Sequence, residues 1–277
     1  MKNRILPLAL FASSGPLVHA ATNITFESPY TVAALSTGAT TPTATTTNRA
    51  FDGQQGWSKS TSGNNGQIIT TTTSGAYVGS QALTGSTAAS AGSVDTYIGG
   101  KAVGPMTSLV FDFRYYGVEL GVGGWNDDDG DSLFDQTEAE FMPGIVSTSA
   151  STYAFGLRGA GFLGTGGTYN GRFSTGTPGT PGSWYRMTVT PDFANLQVTL
   201  AVFNLTSNSS VSLATSVFTL TGAQFGVNPT AYEGISARVT SHASAAAAID
   251  NIQVIPEPAA ALLGGLGMLS LLRRRRA

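Results

Sequence analysis

The stretch "WNDDDGDSLFDQTEAEF", residues 125–141, holds seven of the chain's sixteen carboxylates. With Asp127 as the first position, Asp129 falls third, Asp131 fifth, Leu133 seventh, Asp135 ninth and Glu138 twelfth. That is the ligand spacing of a twelve-residue EF-hand-type loop, in which carboxylates, one backbone carbonyl and a bidentate Glu surround Ca²⁺. Four aspartates within five residues repel one another unless a cation sits among them. Position six, usually the Gly of a sharp turn, is Ser132, which costs backbone strain and weakens affinity. The competing reading is a solvated acidic loop.

Gly130 at the fourth position gives the D-x-D-G-D form, which resembles the calcium loops of dockerin-like and thrombospondin type 3-like repeats. Only one copy is present, where a dockerin needs two, so a cohesin partner is not implied. Catalytic constellations are sparse. The two histidines are His19 and His242, and no G-x-S-x-G motif accompanies them. A glycosidase needs two carboxyls about 5 to 10 Å apart. Glu138 and Glu140 resemble part of the E-x-D-x-x-E motif of jelly-roll glucanases, but the rest of that motif is missing and Glu138 is assigned to calcium. Aromatic side chains that could stack on sugar faces are Trp57, Trp125, Trp184, Tyr115 and Tyr116. Trp184, at a strand start, reads as core. Trp125, Tyr115 and Tyr116 are the candidate ligand contacts, Trp125 first because it borders the acidic loop.

These groups need elements to hold them. The 277 residues include 35 Gly and only 11% charged residues, a composition suited to turn-rich β structure. Alternation places Leu109, Phe111 and Phe113 on one face of a strand, with Asp112 and Arg114 on the other. It continues through Tyr185, Met187 and Val189, and through Leu196, Val198, Leu200 and Val202. Further runs are "TYAFGLRG", "ATSVFTLTG", "YEGISARVT" and "AAIDNIQVI", separated by turn clusters such as "GTGGTYNGRFSTGTPGTPG". A turn or two after Asp135 is the only helical candidate in the body. The prediction is an all-β, two-sheet antiparallel sandwich of jelly-roll type. The order of these strands, ending in Asp-Asn-aliphatic, is similar to concanavalin-like and carbohydrate-binding jelly rolls. No cysteine is available for a disulfide or a thiol nucleophile.

Both ends read as sorting segments. Lys2 and Arg4, an apolar run from Ile5 and the Val18-His19-Ala20 pattern form a signal peptide, read as an N-terminal signal helix, over residues 1–20. At the other end, residues 259–272 are apolar; as a helix they reach about 21 Å, short of a bilayer core of about 30 Å. Arg273, Arg274, Arg275 and Arg276 follow, on the cytoplasmic side by the positive-inside rule. Pro256, Glu257 and Pro258, the apolar transmembrane helix and the arginines resemble the PEP-CTERM sorting signal of Gram-negative bacteria that make exopolysaccharide. The resemblance implies an exosortase and the secretion machinery as partners, transient inner-membrane insertion, and a secreted product at the cell surface or in the extracellular matrix. A plain tail anchor is the alternative.

Between the two signals, residues 21–255 carry eight basic and fifteen acidic residues, near −7. Without the seven acids of 127–140 the body is balanced, so the acidity is local and no basic patch for nucleic acid remains. The expectation is one sandwich over 21–255 with a calcium-loop insertion at 127–138 and a sorting tail at 256–277. Its expected function is non-enzymatic carbohydrate binding with one structural Ca²⁺. A structural matrix protein without a ligand, and a jelly-roll glycoside hydrolase, are the alternatives.

Overall fold

A computed structural model describes residues 22–27, 57–59, 67–70, 77, 79, 81–84, 95–100, 106–126, 141–149, 152–159, 171–225, 232, 234–240 and 247–256. The strands are β1 (Thr22–Ile24), β2 (Ser58–Lys59), β3 (Gln67–Thr70), β4 (Gln81–Thr84), β5 (Asp95–Gly100), β6 (Met106–Arg114), β7 (Leu120–Trp125) and β8 (Met142–Ser147). They continue as β9 (Tyr153–Arg158), β10 (Arg172–Ser174), β11 (Trp184–Asp192), β12 (Gln197–Asn204), β13 (Ser209–Ser210), β14 (Val217–Thr219), β15 (Gly234–Thr240) and β16 (Ala248–Pro256). One helical turn, α1 (Gly222–Phe225), lies between β14 and β15. The helical turn expected after Asp135 and the two terminal helices fall outside the described residues.

The expected two-sheet antiparallel sandwich is what forms. One sheet runs β13-β12-β11-β6-β16-β4-β3, with β1 also on β16 and β14 on β12; the other runs β10-β9-β8-β7-β15-β5-β2. Alternation explains the core. Leu109, Phe111 and Phe113 of β6 and Tyr185, Met187 and Val189 of β11 meet Leu120, Val122, Phe155, Leu157, Ile235 and Ala237 of the opposite sheet, all buried in one cluster. Phe113, Phe155 and Tyr185 touch as rings, with centroids 5.0 to 6.3 Å apart. Leu196 departs from its expected inward position. It occupies a turn at φ 53° and is exposed, while Val198, Leu200 and Val202 point inward as read.

β16 contains one irregularity that matters for the surface. Asp250 stands opposite Asp112 on β6, but Gln253 stands opposite Val110, so β16 has one residue too many. Asn251 is the extra residue, at φ 49°, a left-handed conformation that Asn tolerates better than most side chains. The bulge also separates two partners on the far edge: residues 248 and 249 pair with β4, and 252 to 254 pair with β1. This accounts for the Asp-Asn-aliphatic pattern, in which Ile249 and Ile252 both face the core although three residues apart.

Candidate functional site

With odd-numbered residues of β6 and β11 pointing inward, the even-numbered ones stand on the outer face of the nine-stranded sheet. Trp184 lies in register with Arg114, and Arg186 with Asp112. Asp112 is fully buried and accepts two hydrogen bonds from Arg186, from Nε at 2.7 Å and from Nη2 at 2.8 Å. The Asn251 side-chain amide donates a third, at 3.0 Å. The bulge is what aims Asn251 there. Asp250, also fully buried, accepts from the backbone N–H of Tyr77 at 3.1 Å and of Asn251 at 2.7 Å. Two carboxylates thus face each other across β6 and β16, an arrangement that is unfavourable unless compensated. Arg186 and the N–H donors supply that compensation.

The Arg186 side chain keeps 39% of its surface exposed. Its basicity is raised above the ordinary value, first by the hydrogen bonds to Asp112, against a smaller opposing effect of burial; the charge of Asp112 and the Tyr77 phenol act in the same direction as the bonds. Beside it the Tyr77 ring lies 5.8 Å from that of Trp184, tilted by 43°. Tyr77 is exposed, and Trp184 is buried beneath it against Ala82, Ala248 and Leu205. Trp184 is therefore buried as expected, but on the outer face and apart from the main core. Arg114 extends the row: its Nε donates to the Gly182 carbonyl at 3.2 Å and its guanidinium lies 4.9 Å from the centre of the Tyr116 ring. The result is a strip of Tyr116, Arg114, Trp184, Tyr77 and Arg186. It offers aromatic faces and guanidinium donors at the surface, with its carboxylates underneath.

The sequence-predicted contacts divide. Tyr116 belongs to this strip and is partly exposed. Tyr115 is 5% exposed and sits in the core, where burial and then the charges of Tyr153 and Tyr185 push its phenol above the ordinary 10.0. An aromatic run "YY" cannot put both rings on one face of an extended chain. Trp125 ends β7 on the other sheet and is partly buried. Trp57 is 1% exposed and packs near Phe26 with ring centroids 6.2 Å apart, so it is a core residue and not a platform.

The seven-stranded sheet carries a different cluster on its outer face. Glu119, just before β7, receives Arg158 of β9 through Nη2, Arg238 of β15 at 3.2 Å and Arg172 of β10 at 3.3 Å. The backbone N–H of Ser147 on β8 also donates to it, at 2.8 Å. Arg158 and Arg238 are 3% and 4% exposed. Below them Gly121, Gly144 and Gly156 align in one row across three strands. A Cβ at Gly144 or Gly156 would overlap the carbonyl oxygens of Leu120 and Phe173, so close strand approach requires glycine there.

The calcium-loop residues Asp127, Asp129, Asp131, Leu133, Asp135 and Glu138 lie outside the described residues, as do His242, Glu257, Pro258 and Arg273 to Arg276. Pro256 is described as the last residue of β16, paired with Met106. Among the described residues there is no group of three or more His, Cys, Asp or Glu able to hold a metal, and no helix long and apolar enough to cross a membrane.

No family model and no curated protein matches the chain. Among solved structures it is similar to the exoplasmic/lumenal domain of VIP36 in its Ca²⁺/Man3GlcNAc-bound form, at 8% identity, covering 75% of this chain and 87% of that one, with a TM-score of 0.44. Lectin II from Ulex europaeus is similar at 9% identity over 75% and 95% of the two chains, TM-score 0.43. The T. cruzi calreticulin globular domain is similar at 12% identity over 82% and 98%, TM-score 0.44. Likeness at this level carries no residue role from one protein to another.

Proposed function

We propose that this chain is an exported cell-surface or extracellular-matrix protein whose β-sandwich binds polysaccharide, without catalysis, on the outer face of its nine-stranded sheet. One observation carries the reading: the exposed Tyr77 ring over Trp184 stands beside Arg186, whose guanidinium is locked in place by the buried Asp112. Sugar recognition needs a flat apolar face for the C–H side of the ring and fixed polar donors for the hydroxyls. A guanidinium already held by two hydrogen bonds loses little freedom on binding. The two carboxylates at this strip are fully buried and engaged by N–H donors, which suits scaffolding and does not suit the exposed acid and base of a glycosidase.

Export through the signal at 1–20, sorting by an exosortase through the tail at 256–277 with transient insertion into the inner membrane, and structural Ca²⁺ at 127–138 belong to the same proposal. They rest on the sequence patterns. Retention of the purified protein on polysaccharide-coated beads tests the binding claim. The wild type is expected to be retained and Tyr77→Ala to elute; equal elution of both with a non-glycan control protein would leave the structural matrix reading. Thermal unfolding in EDTA, Ca²⁺ and Mg²⁺ tests the metal, with a rise of several degrees expected for Ca²⁺ alone.

A further inference from the structure

Within that reading, we infer that the polysaccharide is acidic, a polymer bearing carboxylates of the uronic-acid type, and that Arg186 engages the carboxylate. The vertical order of charge in the strip points to it. Both anions, Asp112 and Asp250, have no exposed surface, whereas the Arg186 side chain is 39% exposed. Arg186 spends Nε and Nη2 on Asp112, which leaves the Nη1 edge of the planar fork pointing away from its partner. That edge presents N–H donors and no acceptor. A carboxylate on a sugar ring stacked against Tyr77 complements it, since carboxylates accept from guanidinium in short charge-assisted bonds.

The acidity of residues 21–255 comes from the 127–140 stretch, and the remaining eight acidic and eight basic residues cancel. Arg114, in register with Trp184, adds a second positive group on the same face. Within the strip the two carboxylates are fully buried and the two guanidinium side chains are partly exposed. Neutral sugars need acceptors as well as donors for their hydroxyls. Here the carboxylate acceptors are covered.

The inference rests on the proposed sugar binding, and one experiment separates the two. Affinity electrophoresis of the purified full chain would use polygalacturonate and the same polymer after chemical reduction of its carboxyls, at low and at high salt. Retardation by the acidic polymer is expected to be at least about tenfold stronger than by the reduced one, and to weaken with salt. Arg186→Lys, which keeps the charge and loses the fork, is expected to lose most of the preference while remaining folded. Equal retardation by both polymers, insensitive to salt, would overturn the acidic class and leave sugar binding standing. Retardation by the reduced polymer alone would do the same. No retardation by either polymer, nor by a panel of neutral glucans, would overturn both.

Discussion

The two outer faces of this sandwich handle buried charge in opposite ways. On the seven-stranded sheet one carboxylate, Glu119, gathers three guanidiniums from three strands, over a row of glycines. On the nine-stranded sheet one carboxylate, Asp112, holds a single guanidinium whose side chain is partly exposed, next to aromatic rings. The first arrangement covers most of its charged surface and ties strands together. The second buries the anion and offers the cation outward. In a chain with so few charged residues, five of the eight arginines and lysines between the signals stand on these two faces, so the difference separates a structural knot from the surface proposed for contact.

That contrast predicts effects of graded size. Glu119→Ala, which leaves two buried guanidiniums and a third, partly exposed one facing one another, is expected to cost about 3–5 kcal/mol in denaturant unfolding. A cost below about 1 kcal/mol would dissolve the distinction between knot and strip. Asp112→Ala is expected to cost less, about 2 kcal/mol, because Arg186 is partly exposed and can turn to water; polysaccharide retention should fall with it as the guanidinium loses its support. Full retention in a folded Asp112→Ala protein would mean that Arg186 needs no positioning. Tyr77→Ala is expected to change stability by no more than about 0.5 kcal/mol while removing most retention, since Tyr77 is exposed. A large loss of stability would make it a core residue instead.

The smallest effect concerns Tyr115. Its phenol is raised above 10.0 in the fold, so the folded state holds that proton more tightly than the unfolded chain. The resulting stability is fully present below about pH 10 and is lost as pH rises through the folded value. Tyr115→Phe should therefore lose less stability than the wild type above pH 10 and bind polysaccharide unchanged. Reduced binding by this variant would restore Tyr115 as a contact.

How much was legible in the sequence follows from where each signal resides. β6, β11 and β12 were read from alternation because one of their faces is apolar core. β7 and β8 escaped because Gly121, Gly123, Pro143 and Gly144 interrupt the pattern, and the reason for Gly144 is the neighbouring Leu120 carbonyl, which no local preference reveals. β10, three residues long, is hidden inside a Gly/Thr turn cluster because it is too short to show a period. Alternation places Asp112 on an outward face, but its pairing with Arg186, 74 residues away, depends on strand register. Trp57, Tyr115 and Trp184 show the limit for aromatics: a ring buries equally well in the core or under another ring on an outer face. The pattern at Asp250-Asn251-Ile252 was visible as a resemblance, and the bulge supplies its physical cause.

The central claim is that the sandwich binds polysaccharide through the strip on its nine-stranded sheet. The most direct test is retention on polysaccharide-coated beads of wild type and Tyr77→Ala, each first shown to unfold at the same denaturant midpoint. Retention of the wild type and loss of it in the variant is the predicted result. Equal retention of the two would contradict the claim and move the contact surface elsewhere on the molecule.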